Sequence, residues 1–102
     1  MELKNFKYEK KDALKFLQKQ KDKSIKLVIT SPPYNIGKEY ETVTSLNEYL
    51  ENLKPIIKEL VRVLSDDGSI CWEVGNYIDP STSEVYTLDI YFYKIFKDMG
   101  LL

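Results

Sequence analysis

Residues 25–35 read Ile25-Lys26-Leu27-Val28-Ile29-Thr30-Ser31-Pro32-Pro33-Tyr34-Asn35, and the reading of the whole chain turns on them. The first half is nearly all apolar and β-branched. That is the composition of a central parallel strand covered on both faces; a half-exposed strand would alternate. The second half must end the strand, because proline has no N–H to give to a ladder and its ring fixes φ. Ligands of open parallel sheets gather beyond the carboxyl ends of strands, which is where Ser31-Pro32-Pro33 falls.

On the amino-terminal side, residues 5–9 predict a short strand. Asp12 then makes a good N-cap for a helix carrying Ala13, Leu14, Phe16 and Leu17, and Lys21-Asp22-Lys23-Ser24 reads as the turn out of it. On the carboxyl side, residues 36–44 read as an irregular loop. Ser45-Leu46-Asn47-Glu48 is a capping box, with a serine N-cap and a glutamate three residues later. Leu46, Tyr49, Leu50, Leu53, Ile56, Ile57, Leu60, Val61 and Leu64 follow at helical spacing, and Pro55 inside the pattern predicts a kink or break near Lys54. Asp66-Asp67-Gly68 reads as a turn, Ser69–Val74 as a second buried strand ended by Gly75-Asn76, and residues 76–86 as a polar loop. Thr87 is placed to cap a last helix with Leu88, Tyr91, Phe92, Ile95, Phe96 and Met99 on one face, and Gly100 to follow it as the C′ residue. Trp72 and Cys71 read as core residues of their strand, and Tyr91 and Tyr93 as packing. The predicted order is β-α-β-α-β-α, an α/β fold with a parallel sheet and right-handed crossovers. Asp12, after the first strand, and Gly75-Asn76, after the last, fall at the same sheet edge as Ser31-Pro32-Pro33.

A chain of 102 residues is one small domain or part of a larger one. With one cysteine, Cys71, it has no internal disulfide, which fits a reducing cytoplasm. The lack of histidine leaves few soft ligands, so no metal is expected. No apolar run approaches the ~18 residues that a membrane span needs. The net charge of −1 is unevenly spread: residues 1–38 hold 10 lysines against 4 acids, and residues 39–102 hold 5 cations against 12 acids. The lysine-rich start reads either as a solvated helix face or as a patch that meets phosphates.

Thr30-Ser31-Pro32-Pro33-Tyr34-Asn35 after a buried strand resembles motif IV of the DNA amino-methyltransferases, Asp/Asn/Ser-Pro-Pro-Tyr/Phe. Asp12-Ala13-Leu14 upstream agrees with it, as do Ile36-Gly37-Lys38-Glu39-Tyr40 and Arg62-Val63-Leu64…Asp67-Gly68-Ser69 downstream. The layout resembles the subgroup in which the catalytic motif precedes the cofactor motif. The resemblance implies a partial Rossmann-like methyltransferase fold and a site-specific DNA methyltransferase of the restriction-modification kind, with S-adenosylmethionine as cofactor and DNA as partner. It implies Ser31, Pro32, Pro33 and Tyr34 as catalytic residues, Tyr34 and Asn35 as substrate contacts, and Asp12 and Ser31 as cofactor contacts. Asp12 reads equally as a plain N-cap, and Asn35 equally as a turn former. In this family serine in the first motif position goes mostly with cytosine N4 and aspartate with adenine N6, so cytosine is the expected target and adenine the alternative.

The chemistry explains the residue types. An exocyclic amino group is a poor nucleophile because its lone pair is delocalised into the ring. Two acceptors aimed at its two N–H groups favour a tetrahedral nitrogen and free that pair. Ser31 offers a side-chain oxygen and Pro32 a carbonyl, with the proline rings holding the backbone in place. A duplex hides the amino group, so the base must be flipped out, and Tyr34 offers a face for it to stack on.

The family's Phe-x-Gly-x-Gly cofactor loop is not formed by Gly37, Gly68, Gly75 and Gly100. Residues 1–102 are therefore expected to be the N-terminal, catalytic-motif part of a methyltransferase domain, with the cofactor-loop and target-recognition parts elsewhere. Two expectations follow: self-association or a complementary C-terminal chain, or, in another class, a non-catalytic remnant serving as an assembly module.

Overall fold

The computed structural model describes residues 6–33 and 45–101. The elements are α1 (Ala13–Gln18), β1 (Ile25–Thr30), α2 (Leu46–Val63), β2 (Leu64–Trp72), β3 (Asn76–Ile78), β4 (Val85–Thr87) and α3 (Leu88–Asp98). β1 and β2 pair in parallel, with α2 as the crossover between them, and β3 and β4 form an antiparallel hairpin.

Local chemistry sets the element boundaries. The Asp12 carboxylate accepts from the Lys15 backbone N–H at 3.2 Å and starts α1, and Ser45 Oγ accepts from the Glu48 N–H at 3.2 Å and starts α2. α3 ends in a Schellman arrangement: Leu101 N–H donates to the Phe96 carbonyl and Gly100 N–H to the Lys97 carbonyl, with Gly100 at φ +93°. Thr87 is the N-cap of α3, though its side chain makes no capping bond. Arg62 near the end of α2 ties down the exit of α1. It donates to the carbonyls of Leu17 (2.8 Å) and Gln20 (2.9 Å), to the Asp22 carboxylate (2.6 Å) and to Glu59.

The three helices of the described residues lie on one face of the β1–β2 pair. Leu17, Leu60 and Val63 pack with Val28, Ile70 and Trp72. Ile70 and Trp72 also border a second cluster, in which α2 residues Leu50, Leu53 and Ile57 meet α3 residues Leu88, Phe92 and Phe96. Trp72 meets Phe92 and Phe96 edge-on, at ring separations of 5.3 and 5.5 Å.

The α/β class, the parallel pair and the three helices stand as the sequence predicts, and several details differ. Residues 6–10 form no strand; Phe6 and Tyr8 are exposed, and no described strand lies beside them to supply a ladder. β1 is covered on one face only, since Leu27 (55% exposed) and Ile29 (74%) look outward with Cys71, which is therefore not a core residue. α2 runs unbroken through the exposed Pro55, whose missing N–H leaves only the Glu51 carbonyl short of a donor. Asp66-Asp67-Gly68 is a register irregularity inside β2, where pairing jumps from Ile25–Leu64 to Leu27–Ser69. The segment expected to be a polar loop contains the hairpin, and its Tyr77 is buried in the core. Tyr93 is exposed, whereas Tyr91 packs near Tyr86. The irregular loop expected over residues 36–44 lies outside the described residues, as do Tyr34 and Asn35.

Candidate active site

Thr30-Ser31-Pro32-Pro33 leaves β1 at its carboxyl end, beside Trp72-Glu73 at the end of β2. The Glu73 N–H donates to the Thr30 carbonyl at 2.9 Å and carries the ladder one step past the strands. Beyond that step the prolines cannot pair, and the chain must separate from the sheet. Ser31 and Pro33 are exposed and Pro32 is buried. The Pro33 carbonyl accepts a hydrogen bond from the hydroxyl of Tyr49, a buried residue on the first turns of α2.

Two hollows meet at Ser31. On the helix-covered side, a cleft of about 270 Å³ is walled by Ala13, Phe16 and Leu17 of α1, Leu53, Ile56 and Leu60 of α2, Val28 and Trp72 of the sheet, and Thr30 to Pro33. On the bare side, a shallower hollow is lined by Ile29, Thr30, Ser31, Cys71, Trp72 and Glu73. The first cleft is mostly apolar. It joins the start of α1, capped by exposed Asp12, to the double-proline exit of β1. Asp12 accepts from the Lys15 N–H through one carboxylate oxygen, and a carboxylate has capacity for further donors. Among the predicted site residues, Ser31, Pro32 and Pro33 thus share one cleft with Ala13, the neighbour of Asp12.

Two residues beside the motif were not singled out by the sequence reading. Tyr49 read as one more apolar position of α2, yet a buried tyrosine hydroxyl requires a partner, and that requirement was the available signal. Glu73 follows β2 and lines the hollow beside Ser31, an acidic side chain at the carboxyl edge where ligands collect.

The lysine-rich start is exposed along Lys7, Lys10, Lys11, Lys15 and Lys19. The Lys19 ammonium pushes that of Lys11 below the usual lysine range, with desolvation adding to the effect. Among the described residues there is no cluster of side chains suited to hold a metal, and no helix is long and apolar enough to cross a membrane.

The model of the DNA methylase family of N6- and N4-methyltransferases matches residues 25–100. The chain belongs to the N6/N4 DNA methylase family. It is 42% identical over 90 residues to the Type II methyltransferase M.BglII of Bacillus subtilis, an alignment covering 88% of this chain and 25% of that protein. It is 33% identical over 88 residues to the DNA adenine methyltransferase YhdJ of Escherichia coli, covering 83% of this chain and 28% of that one. Among solved structures, TTHA0409 of Thermus thermophilus, assigned as a DNA modification methylase, superposes with a TM-score of 0.73 at 26% identity over 88% of this chain and 38% of its own. The cytosine-N4-specific PvuII DNA methyltransferase does so with a TM-score of 0.66 at 26% identity, over 87% and 31%. TTHA0409 has also been solved in complex with S-adenosyl-L-methionine. The chain spans about a quarter of the length of the curated relatives it matches.

Proposed function

We propose that this DNA methylase chain carries the catalytic motif of a site-specific methyltransferase that moves a methyl group from S-adenosylmethionine to N4 of cytosine in DNA, in the cytoplasm. The observation that carries the reading is the exit of β1: Ser31, Pro32 and Pro33 stand at the carboxyl edge of a parallel pair, on one cleft with the start of α1. The adenosine end of S-adenosylmethionine suits that cleft, with apolar walls for the base and the Asp12 carboxylate as an acceptor nearby. When bound, it supplies an electrophilic sulfonium methyl.

The protein's own task is to hold and activate the amino nitrogen. Ser31 Oγ and the Pro32 carbonyl accept from its two N–H groups, turn its lone pair out of conjugation and stabilise the positive charge that develops there. The proline rings keep that carbonyl from swinging as the charge grows. Tyr34 stacks on the flipped base, worth about 1–3 kcal/mol, and Asn35 shapes the same pocket. The lysines at the start of the chain meet phosphates; an anion between Lys11 and Lys19 would relieve their mutual repulsion.

Ser31 in the first motif position and the likeness to the PvuII enzyme support cytosine as target. The likeness to YhdJ makes adenine N6 the alternative. The bare face of β1–β2 favours a further reading: the rest of a methyltransferase fold, on a complementary chain or a longer one, covers Leu27, Ile29 and Cys71 in the working enzyme.

The test is methyl transfer from labelled S-adenosylmethionine to mixed-sequence DNA, followed by digestion and mass analysis of the nucleosides. N4-methylcytosine supports the reading and N6-methyladenine moves it to the alternative. Ser31→Ala should lower the rate on the order of a hundredfold. No product from the 102-residue chain, set against product when the remainder of a relative such as M.BglII is added, would place the activity in the assembled fold. No product in either case counts for the non-catalytic remnant.

A further inference from the structure

Torsional freedom through the motif is nearly exhausted by its own chemistry. The Pro32 and Pro33 rings fix φ at both residues. Ser31 and Pro32 each precede a proline, which confines their ψ to the extended region. Beyond φ of Ser31, the one soft torsion left before residue 34 is ψ of Pro33, which sets both the direction of the Pro33 carbonyl and the direction in which the chain leaves the motif. Tyr49 donates its hydroxyl to that carbonyl. Its ring is rigidly held: the residue is 6% exposed and meets Phe92 edge-on at 6.1 Å. Its backbone N–H is fixed by the Ser45 carbonyl at 2.9 Å, in the turn that Ser45 caps.

We propose that Tyr49 is a positioning residue of the methyl-transfer site, fixing the last free torsion of Ser31-Pro32-Pro33 by drawing the Pro33 carbonyl inward. The consequence is a division of labour between the two proline carbonyls. That of Pro33 is spent inside the protein, which leaves the Pro32 carbonyl and Ser31 Oγ as the acceptors for the amino group. The catalytic consequence rests on the function proposed above; the torsional claim does not.

The experiment is carbon-detected NMR on the labelled 102-residue chain. In the wild type, exchanging the Tyr49 hydroxyl proton for deuterium should shift the Pro33 carbonyl resonance across the hydrogen bond. Tyr49→Phe removes only the hydroxyl. The variant should move the Pro33 carbonyl and residue 34 amide resonances and lower the order of both, while the melting temperature stays within a few degrees. A role confined to stability would lower the melting temperature and leave those local signals in place. No isotope shift in the wild type overturns the proposal, as do unmoved Pro33 and residue 34 signals in a folded variant. Should the variant not fold, the isotope shift in the wild type decides alone. Where methylation is measurable, kcat should fall about tenfold, the weight of one lost hydrogen bond, with KM for S-adenosylmethionine unchanged. A wild-type chain inactive both alone and with the remainder of a relative added would count against the proposed function and would leave the torsional result standing.

Discussion

The two faces of the β1–β2 pair are made from the same kind of sequence and have opposite fates. On one, Val28, Ile70 and Trp72 lie under three helices and join two apolar clusters. On the other, Leu27 and Ile29 face outward beside Ser69 and Cys71. Apolar side chains of β1 thus stand on both faces, Val28 on one and Leu27 and Ile29 on the other, and only Val28 is covered. β1 keeps apolar side chains on a bare face as well as on a covered one, in a chain that spans about a quarter of the length of its curated relatives. The double-proline exit lies where the two faces meet, so the site borders both the covered face and the bare one.

The sharpest way to break this comparison is to truncate one side chain on each face. Ile57 of α2 is fully buried on the covered side, and Ile57→Ala should cost about 2–5 kcal/mol of unfolding free energy in urea. Ile29→Ala on the bare face should change it by less than about 0.5 kcal/mol, because no covering atoms are lost. A large loss at Ile29 would mean that the bare face is covered in solution. Sedimentation at rising concentration would then show whether a second copy covers it.

How far the sequence could carry this is visible in the same residues. Ile25–Thr30 reads correctly as a parallel strand, because β-branched apolar runs say strand and the following prolines say where it stops. It reads wrongly as covered on both faces, because composition records what a strand is built to meet and not which neighbours are present. The hairpin was lost for another reason: β3 and β4 have three residues each, too short for periodicity to register, and Tyr77 is buried by tertiary packing alone. Asp66-Asp67-Gly68 carries strong turn chemistry but lies within β2, where pairing with β1 absorbs it as an irregularity. The end of β1 at Ser31 to Pro33 and the Asp12 cap were legible from local chemistry. Tyr49 was not, because its hydrogen bond joins residues 16 apart in sequence.

A smaller effect is expected at the irregularity of the β1–β2 pair. A Cβ added at Gly68 of β2 would lie 2.8 Å from Leu64 Cδ1 and 2.9 Å from the Lys26 carbonyl oxygen of β1. Leu64 can turn aside, but the backbone oxygen cannot without moving the strand. Gly68→Ala is therefore expected to cost about 1–3 kcal/mol and to weaken hydrogen-exchange protection in the β1–β2 ladder more than in α3. Equal protection across both elements would show that the sheet and the helices open as one unit.

The smallest effect belongs to the hairpin tip, where the covered side reaches solvent. The Asp79 carboxylate accepts from the Ser81 hydroxyl (2.6 Å), the Ser81 N–H (2.8 Å) and the Thr82 N–H (3.2 Å). The Ser81 hydroxyl, followed by those two amides, holds the Asp79 pKa below its ordinary value of 3.8. A depressed carboxylate contributes stability that is complete above the unfolded value and is lost as pH falls through the lower, folded one. Nothing should therefore change at the tip between neutral pH and about pH 4, and the Ser81 and Thr82 amides should lose protection only in stronger acid. Asp79→Asn should remove that acid step, since its amide oxygen accepts without titrating. Because the carboxylate is solvated, the change should stay local, with Tyr77 and the core beneath it keeping their protection through the same titration. If Tyr77 loosened along with the tip, the hairpin would be held in place by its turn rather than by the layer it packs on, and the covered face would owe part of its cover to an exposed carboxylate.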